Sequence, residues 1–140
     1  MTPTANGKNS DRTGWQARTD MARILAVDDS PSMLRMVTLT LASGGHSVAQ
    51  AADGREALAA ARGEVFDVVV TDVNMPNMDG IELVQELRGL PAYRYVPLLI
   101  LTTEATAARK TQGKNAGATG WLVKPFNPER LLAVVEKVLG

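Results

Sequence analysis

The sequence predicts an α/β fold built on a doubly wound, five-stranded parallel sheet. Five short apolar runs alternate with five segments of helical period, which is the pattern of repeated strand–helix units. The runs VVV at 68–70 and VPLLIL at 96–101 are continuously apolar, as strands buried on both faces are. A chain of 140 residues, 45% apolar and 21% charged, can enclose one such core.

The five units follow one another along the chain without a long insertion. Strands are predicted at 24–27, 47–51, 67–72, 96–103 and 120–124. Helices are predicted at 31–43, 55–62, 81–90 and 105–116, with a last helix from 128 onward. Strand-then-helix alternation places helices on both faces of a parallel sheet.

Capping residues set the helix ends. Side chains that suit an N-cap precede four of the helices: Ser30, Asp53, Asp79 and Asn127. Proline occupies the first helical position twice, as Pro31 and Pro128. Glycine ends three helices, at Gly44-Gly45, Gly63 and Gly117. Apolar residues repeat at helical spacing in the first, third and last helices, so each of these has one inward face.

Composition excludes several classes of protein. Cysteine is absent, so disulfide frameworks and thiolate metal sites are excluded. Lys plus Arg equals Asp plus Glu at 15 each, which argues against nucleic-acid binding. No apolar run approaches the roughly 20 residues that span a bilayer, and no secretory signal is evident. We therefore expect a cytoplasmic protein.

The chain is predicted to consist of a flexible tail at 1–21 and one domain at 22–140. The tail is polar and without periodicity, and Trp15 is its large apolar residue. Met21 is a possible alternative start. His46 follows a glycine pair and is expected to be exposed, without a metal or phosphorelay role.

Polar side chains stand where the predicted strands end. Asp28 and Asp29 follow the first strand, Asp72 ends the third, Thr102 ends the fourth and Lys124 ends the fifth. Ligands of open parallel sheets bind outside the carboxyl ends of the strands. Three carboxylates in one crevice repel one another unless a cation joins them, and oxygen ligands without His or Cys suit Mg²⁺.

Carboxylates, a divalent ion, a lysine and a hydroxyl are the components of a phosphoryl site. The sequence lacks GxxxxGK[ST] and GxGxxG, so a nucleotide-binding loop is not predicted. The simplest nucleophile is then an aspartate of the protein itself. Taken alone, each of these residues can be explained without a functional site, because Asp commonly forms turns and Lys is commonly a solvated surface side chain. Their joint position at one edge favours a site.

Four segments resemble response-regulator receiver domains: VDDSPSMLRMV, VVVTDVNMPNMDGIEL, LLILTTEA and GWLVKPF. The resemblance runs from Arg23 to the C-terminus, and DVNMPNMDG is similar to chemotaxis regulators of the CheY type. It implies the flavodoxin-like receiver fold with strand order 2-1-3-4-5.

The resemblance also implies a metal site and a phosphoacceptor. Asp72 would take the phosphoryl group. Mg²⁺ would be bound by Asp29, Asp72 and the backbone carbonyl of Asn74, with Asp28 acting through water. Lys124 would pair with Asp72 or its phosphoryl oxygens.

Further positions are implied around that centre. Thr102 would hydrogen-bond the phosphoryl group, and Asn74 and Glu104 would flank the water that removes it. The Lys124-Pro125 peptide bond would be cis. Trp121 would be the switch residue of strand five, where the family usually carries Tyr, Phe or His. The bulk of tryptophan argues against a fully inward rotamer there.

We therefore expect a monomeric, stand-alone response regulator and not an enzyme acting on an external substrate. A histidine kinase would supply the phosphoryl group, and the helix 4–strand 5–helix 5 face would bind a target such as a flagellar motor switch component. A phosphorelay intermediate, a phosphate sink and an adaptor receiver remain open.

Three alternative functions fit the sequence less well than this one. A phosphohydrolase of the haloacid-dehalogenase type needs DxDx[TV], where this chain has DDS. A pseudo-receiver would not need the complete set of acidic, acceptor, threonine and lysine residues that this chain has. A flavin carrier is disfavoured because carboxylates at the first turn would repel the FMN phosphate.

Overall fold

The computed structural model describes residues 22–140 and contains the predicted parallel sheet. Its strands are β1 (Arg23–Val27), β2 (Ser47–Ala51), β3 (Val68–Thr71), β4 (Leu98–Thr102) and β5 (Gly120–Val123). The order across the sheet is β2-β1-β3-β4-β5, with all neighbours parallel. The fold class and the strand order are thus confirmed. The predictions about the tail, Trp15 and Met21 lie outside the described residues.

Helices follow each strand, as predicted. They are α1 (Pro31–Ser43), α2 (Gly54–Gly63), α3 (Gly80–Arg88), α4 (Ala107–Ala116) and α5 (Pro128–Leu139). All four predicted N-caps accept a hydrogen bond from the backbone three residues on. Helix α4 starts two residues later than expected because Thr106 is its N-cap. Within the described part of the chain, no helix has the length and apolarity to cross a membrane.

The core lies in two layers, one on each face of the sheet. Side chains of a strand alternate between the faces, so Ile24 and Ala26 pack with α1 and α5 while Leu25 and Val27 pack with α2 and α3. Every residue of β3 is buried. Burial on both sides explains why the central strands read as continuous apolar runs.

His46 is buried, and the expectation that it is exposed was wrong. Only 4% of the residue is accessible. The glycine pair before it turns the chain back over α1, and the His46 backbone N–H donates to the Leu41 carbonyl at 3.3 Å. Neither ring nitrogen has a hydrogen-bond partner among the described residues.

Replacing His46 with leucine is expected to leave the free energy of unfolding unchanged or to raise it by about 1 kcal/mol. Burying an unpaired polar group is costly, and the apolar side chain removes that cost. Urea denaturation of the two proteins measures the difference. A loss of stability larger than about 1 kcal/mol would contradict this expectation and would mean that the ring makes a stabilising hydrogen bond.

A hydrogen-bond network centred on the partly buried Arg88, at the end of α3, was not predicted from the sequence. Arg88 donates to the carbonyls of Tyr93 and Val96, both at 2.7 Å, and to that of Gly117 at 2.8 Å. Tyr93 is itself buried in a short 3₁₀ turn, Pro91–Tyr93. Arg88 therefore joins α3 to the segments that lead into β4 and β5.

Candidate functional site

The three aspartates converge where β1 and β3 end. The backbones of Asp28 and Asp72 continue the sheet by one residue. The Asp28 N–H donates to the Ala51 carbonyl at 3.1 Å, and the Asp72 N–H donates to the Val27 carbonyl at 3.0 Å. One carboxylate oxygen from each of Asp28, Asp29 and Asp72 lies within 4.8 Å of the other two. The structure thus brings together all three acidic residues proposed from the sequence.

Two of these carboxylates are buried and held by the backbone. Asp28 is 4% exposed and Asp72 is 9% exposed. One oxygen of Asp28 accepts the Ser30 N–H at 2.9 Å, and one oxygen of Asp72 accepts the Val73 N–H at 2.7 Å. Asp29 is exposed. The solvent side of the cluster is therefore open at Asp29.

Lys124 reaches the same cluster from β5. Its Nζ lies 2.6 Å from Asp28 Oδ2 and 3.2 Å from Asp72 Oδ2, and its side chain is 8% exposed. The Lys124-Pro125 bond is cis. The resemblance led us to expect a pair with Asp72, whereas the shorter contact is to Asp28. Three carboxylates against one ammonium leave an excess of negative charge.

The donor set fits Mg²⁺. The excess negative charge is carried by carboxylate oxygens, which are hard ligands. Mg²⁺ takes one or two carboxylates while keeping several waters. No His or Cys stands in this cluster, so a softer metal is not favoured. Asn74 follows Asp72 by two residues and is exposed. Its side-chain nitrogen lies 3.4 Å from Glu104 Oε2, so the two residues expected to flank the water meet each other.

Thr102 and Trp121 are joined through the backbone of Glu104. Thr102 is fully buried, and its Oγ1 accepts the Glu104 N–H at 3.2 Å. Trp121 Nε1 donates to the Glu104 carbonyl at 3.0 Å. The loop after β4 is thus attached to the end of β4 on one side and to β5 on the other.

The indole of Trp121 is half-buried against Gly113. A Cβ at Gly113 would lie 2.7 Å from Trp121 Cζ3. The missing side chain in α4 therefore makes room for a tryptophan at this position. Sequence reasoning overlooked Gly113, although a glycine inside a helix was a signal for a close approach.

Comparison with known proteins gives a consistent result. The family model described as the response regulator receiver domain matches residues 24–136. Protein PilH of Pseudomonas aeruginosa is 39% identical over 120 residues, which cover 86% of this chain and 99% of PilH. The crystal structure of the chemotaxis response regulator CheY4 of Vibrio cholerae is 54% identical with a TM-score of 0.80, covering 84% of this chain and 98% of that one.

A second similar structure contains a metal ion. The receiver domain of a Pseudomonas aeruginosa sensor histidine kinase is 29% identical, with a TM-score of 0.80, covering 85% of this chain and 98% of that one. It was described with a magnesium ion coordinated in its active site cleft. The acidic cluster of the present chain has ligand chemistry that suits the same ion.

Proposed function

The chain belongs to the response regulator receiver family, and on that premise we propose that it accepts a phosphoryl group on Asp72 from a histidine kinase. It then binds a target protein through α4, β5 and α5. One observation carries this proposal: the carboxylates of Asp28, Asp29 and Asp72 share one crevice within 4.8 Å. Carboxylates that share a crevice repel one another, and a cation that joined them would offset this repulsion.

The attacking atom is Asp72 Oδ2. The other oxygen of that carboxylate is occupied by the Val73 N–H at 2.7 Å, while Oδ2 faces Lys124 at 3.2 Å. As the Oδ2–P bond forms, the P–N bond to the donor histidine breaks and its electron pair returns to the imidazole, which takes a proton from solvent. A carboxylate attacks through an oxygen lone pair, so this step uses no general base.

Asp29, Asp72 and the carbonyl of Asn74 would hold Mg²⁺ directly and Asp28 would hold it through water; the ion would supply positive charge to the phosphoryl oxygens. Lys124 provides a positive charge of its own, 3.2 Å from Asp72 Oδ2. The Thr102 hydroxyl donates to a phosphoryl oxygen once the loop after β4 moves toward the site.

That movement reaches the surface through two hydrogen bonds. Glu104 is held by Thr102 at its N–H, at 3.2 Å, and by Trp121 at its carbonyl, at 3.0 Å. A shift of Thr102 toward a phosphoryl group therefore displaces the partner of the indole. Two packings of α4, β5 and α5 that differ by about a few kcal/mol are sufficient for a switch.

A groove on this face supports protein binding as the output. Its volume is about 400 Å³, and its lining includes Trp121, Val123 and Phe126 together with the cationic Lys110 and Arg130. An apolar floor with two cations suits a target segment that carries apolar and acidic side chains. The similarity to CheY4 favours chemotaxis and a flagellar motor switch component as the target. A phosphorelay intermediate or a phosphate sink uses the same chemistry without this face.

The acyl phosphate is expected to hydrolyse in minutes and not in many hours. By the family resemblance, Asn74 and Glu104 would flank the water that attacks the acyl phosphate on Asp72. Their side chains lie 3.4 Å apart, and neither is bulky and apolar enough to exclude water. Following the phosphorylated mass after removal of the donor measures the decay. Glu104→Leu is expected to slow it. A wild-type half-life of many hours would contradict this expectation.

Incubation with acetyl phosphate, followed by intact mass, tests the proposed chemistry. We expect a gain of one phosphate in the presence of Mg²⁺, mapped to Asp72, and none with a chelator. Asp72→Asn serves as the control and is expected to gain no phosphate. Modification elsewhere, or none in the wild type, would refute the proposal. Turnover of small phosphomonoesters would instead indicate that the protein is a phosphohydrolase.

A further inference from the structure

We infer that Asp53 and Asn77 are positioning residues for the phosphoryl site, although neither touches it. This inference rests on the proposed function. Residues 73–79, here termed the acceptor loop, connect Asp72 to α3. Asn77 Nδ2 donates to Asp53 Oδ2 at 2.9 Å, and Asp53 is the N-cap of α2. The acceptor loop is therefore tied in its middle to the start of a neighbouring helix.

Both side chains suit this link for separate reasons. Asp53 uses two oxygens, because Oδ1 accepts the Glu56 N–H at 2.8 Å while Oδ2 accepts from Asn77. These hydrogen bonds, the one from Glu56 first, hold the pKa of Asp53 below its usual value. Asn77 has a φ of 69°, a left-handed conformation that asparagine tolerates better than most residues. From this backbone conformation its exposed amide donates to the cap of the helix.

A close backbone approach independently places the same two segments together. A Cβ on Gly54, the first residue of α2, would lie 2.4 Å from the Met78 carbonyl oxygen. The acceptor loop thus packs directly on the first turn of α2, where only glycine fits. At the end of the loop, the Gly80 N–H donates to Val73 at 2.9 Å. The acceptor loop is therefore held at its two ends by the Gly80–Val73 hydrogen bond and in its middle by the Asn77–Asp53 hydrogen bond.

The link matters because of what the loop carries. Asn74, whose carbonyl is a proposed Mg²⁺ ligand, lies between Asp72 and Asn77. Mg²⁺ demands near-ideal octahedral geometry, so a ligand carbonyl on a loose loop binds it less well. Partners that orient ligands without touching the metal typically contribute about tenfold or more to metal affinity. Asp53 and Asn77 are expected to act in this way.

Two variants remove the link and keep the local role of each residue. Asp53→Ser retains an N-cap, and Asn77→Gly retains the left-handed backbone. Each is expected to raise the Mg²⁺ dissociation constant by about tenfold. The double variant is expected to match the single ones, because both remove the same hydrogen bond. In Mg²⁺-free protein, amide hydrogen exchange in the acceptor loop is expected to accelerate while α5 is unaffected.

The reciprocal exchange is the sharpest control. Asp53→Asn combined with Asn77→Asp re-forms the hydrogen bond in the opposite direction, with the same net charge, and is expected to restore Mg²⁺ affinity and slow exchange. Asn127→Ser, which alters the cap of the distant α5, is expected to change neither. Suppose that the wild type takes up Mg²⁺ and phosphate, and that the link variants have the same Mg²⁺ affinity and the same amide hydrogen exchange as the wild type. The positioning role is then wrong, and the proposed function stands. A wild type that takes neither Mg²⁺ nor phosphate would refute both.

Discussion

Replacing Lys124 with methionine is expected to lower the free energy of unfolding of the Mg²⁺-free protein by about 3 kcal/mol. Methionine keeps most of the volume but leaves Asp28 and Asp72, whose contacts with Lys124 are 2.6 and 3.2 Å, without their positive partner. Removing one member of a buried ion pair is costly because the remaining charge is uncompensated. Urea denaturation in the presence of a chelator measures the loss.

The same variant is expected to respond to Mg²⁺ more strongly than the wild type does. Without the ammonium, the crevice carries one more uncompensated negative charge, so the divalent ion should bind more tightly and recover most of the lost stability. Lys137→Met, which removes an exposed lysine of α5, is the matched control. Weaker Mg²⁺ binding by Lys124→Met than by the wild type would show that Lys124 is not a competing counter-ion.

Replacing Arg88 with methionine is expected to cost about 4 kcal/mol in the free energy of unfolding. The change removes a charged donor from the carbonyls of Tyr93, Val96 and Gly117 and leaves these acceptors without it. Hydrogen bonds to charged groups contribute about 1.5–3 kcal/mol each, and several are lost at once. Thermal or urea denaturation measures the change.

Two further variants sharpen this prediction. Arg88→Lys is expected to recover only part of the loss, because an ammonium lacks the planar fork of donors that serves several carbonyls at once. Arg94→Met removes an exposed arginine and is expected to alter stability by less than about 0.5 kcal/mol. Equal stability of Arg88→Met and Arg94→Met would remove the structural role given to Arg88.

The sheet and its acidic edge were predictable because they depend on local patterns. Continuous apolar runs mark strands buried on both faces, as β3 and β4 are. In a parallel sheet, whatever follows each strand falls at the same edge, so Asp28, Asp72 and Lys124 could be placed at one edge from their positions. The strand order that makes them neighbours came from the family resemblance. The N-caps were equally local, since a cap and its acceptor amide stand three residues apart.

The remaining features depend on contacts between distant segments. Arg88 lies near the end of an amphipathic helix and is indistinguishable from a solvated arginine until the loops before β4 and β5 close over it. His46 is buried because the turn at Gly44 and Gly45 brings it back over α1, and a glycine pair alone does not predict which residue such a turn will bury. The link between Asp53 and Asn77 spans 24 residues. No periodicity in a single element encodes such pairs.

Calorimetric titration with Mg²⁺ tests the central claim most directly. That claim is that Asp28, Asp29 and Asp72 form one cation site, which leaves Asp72 able to carry a phosphoryl group. We expect one ion per wild-type chain and an affinity reduced roughly tenfold or more in Asp29→Asn and in Asp72→Asn. An absence of binding heat with the wild type at millimolar Mg²⁺, together with undiminished phosphate uptake by Asp29→Asn, would contradict it.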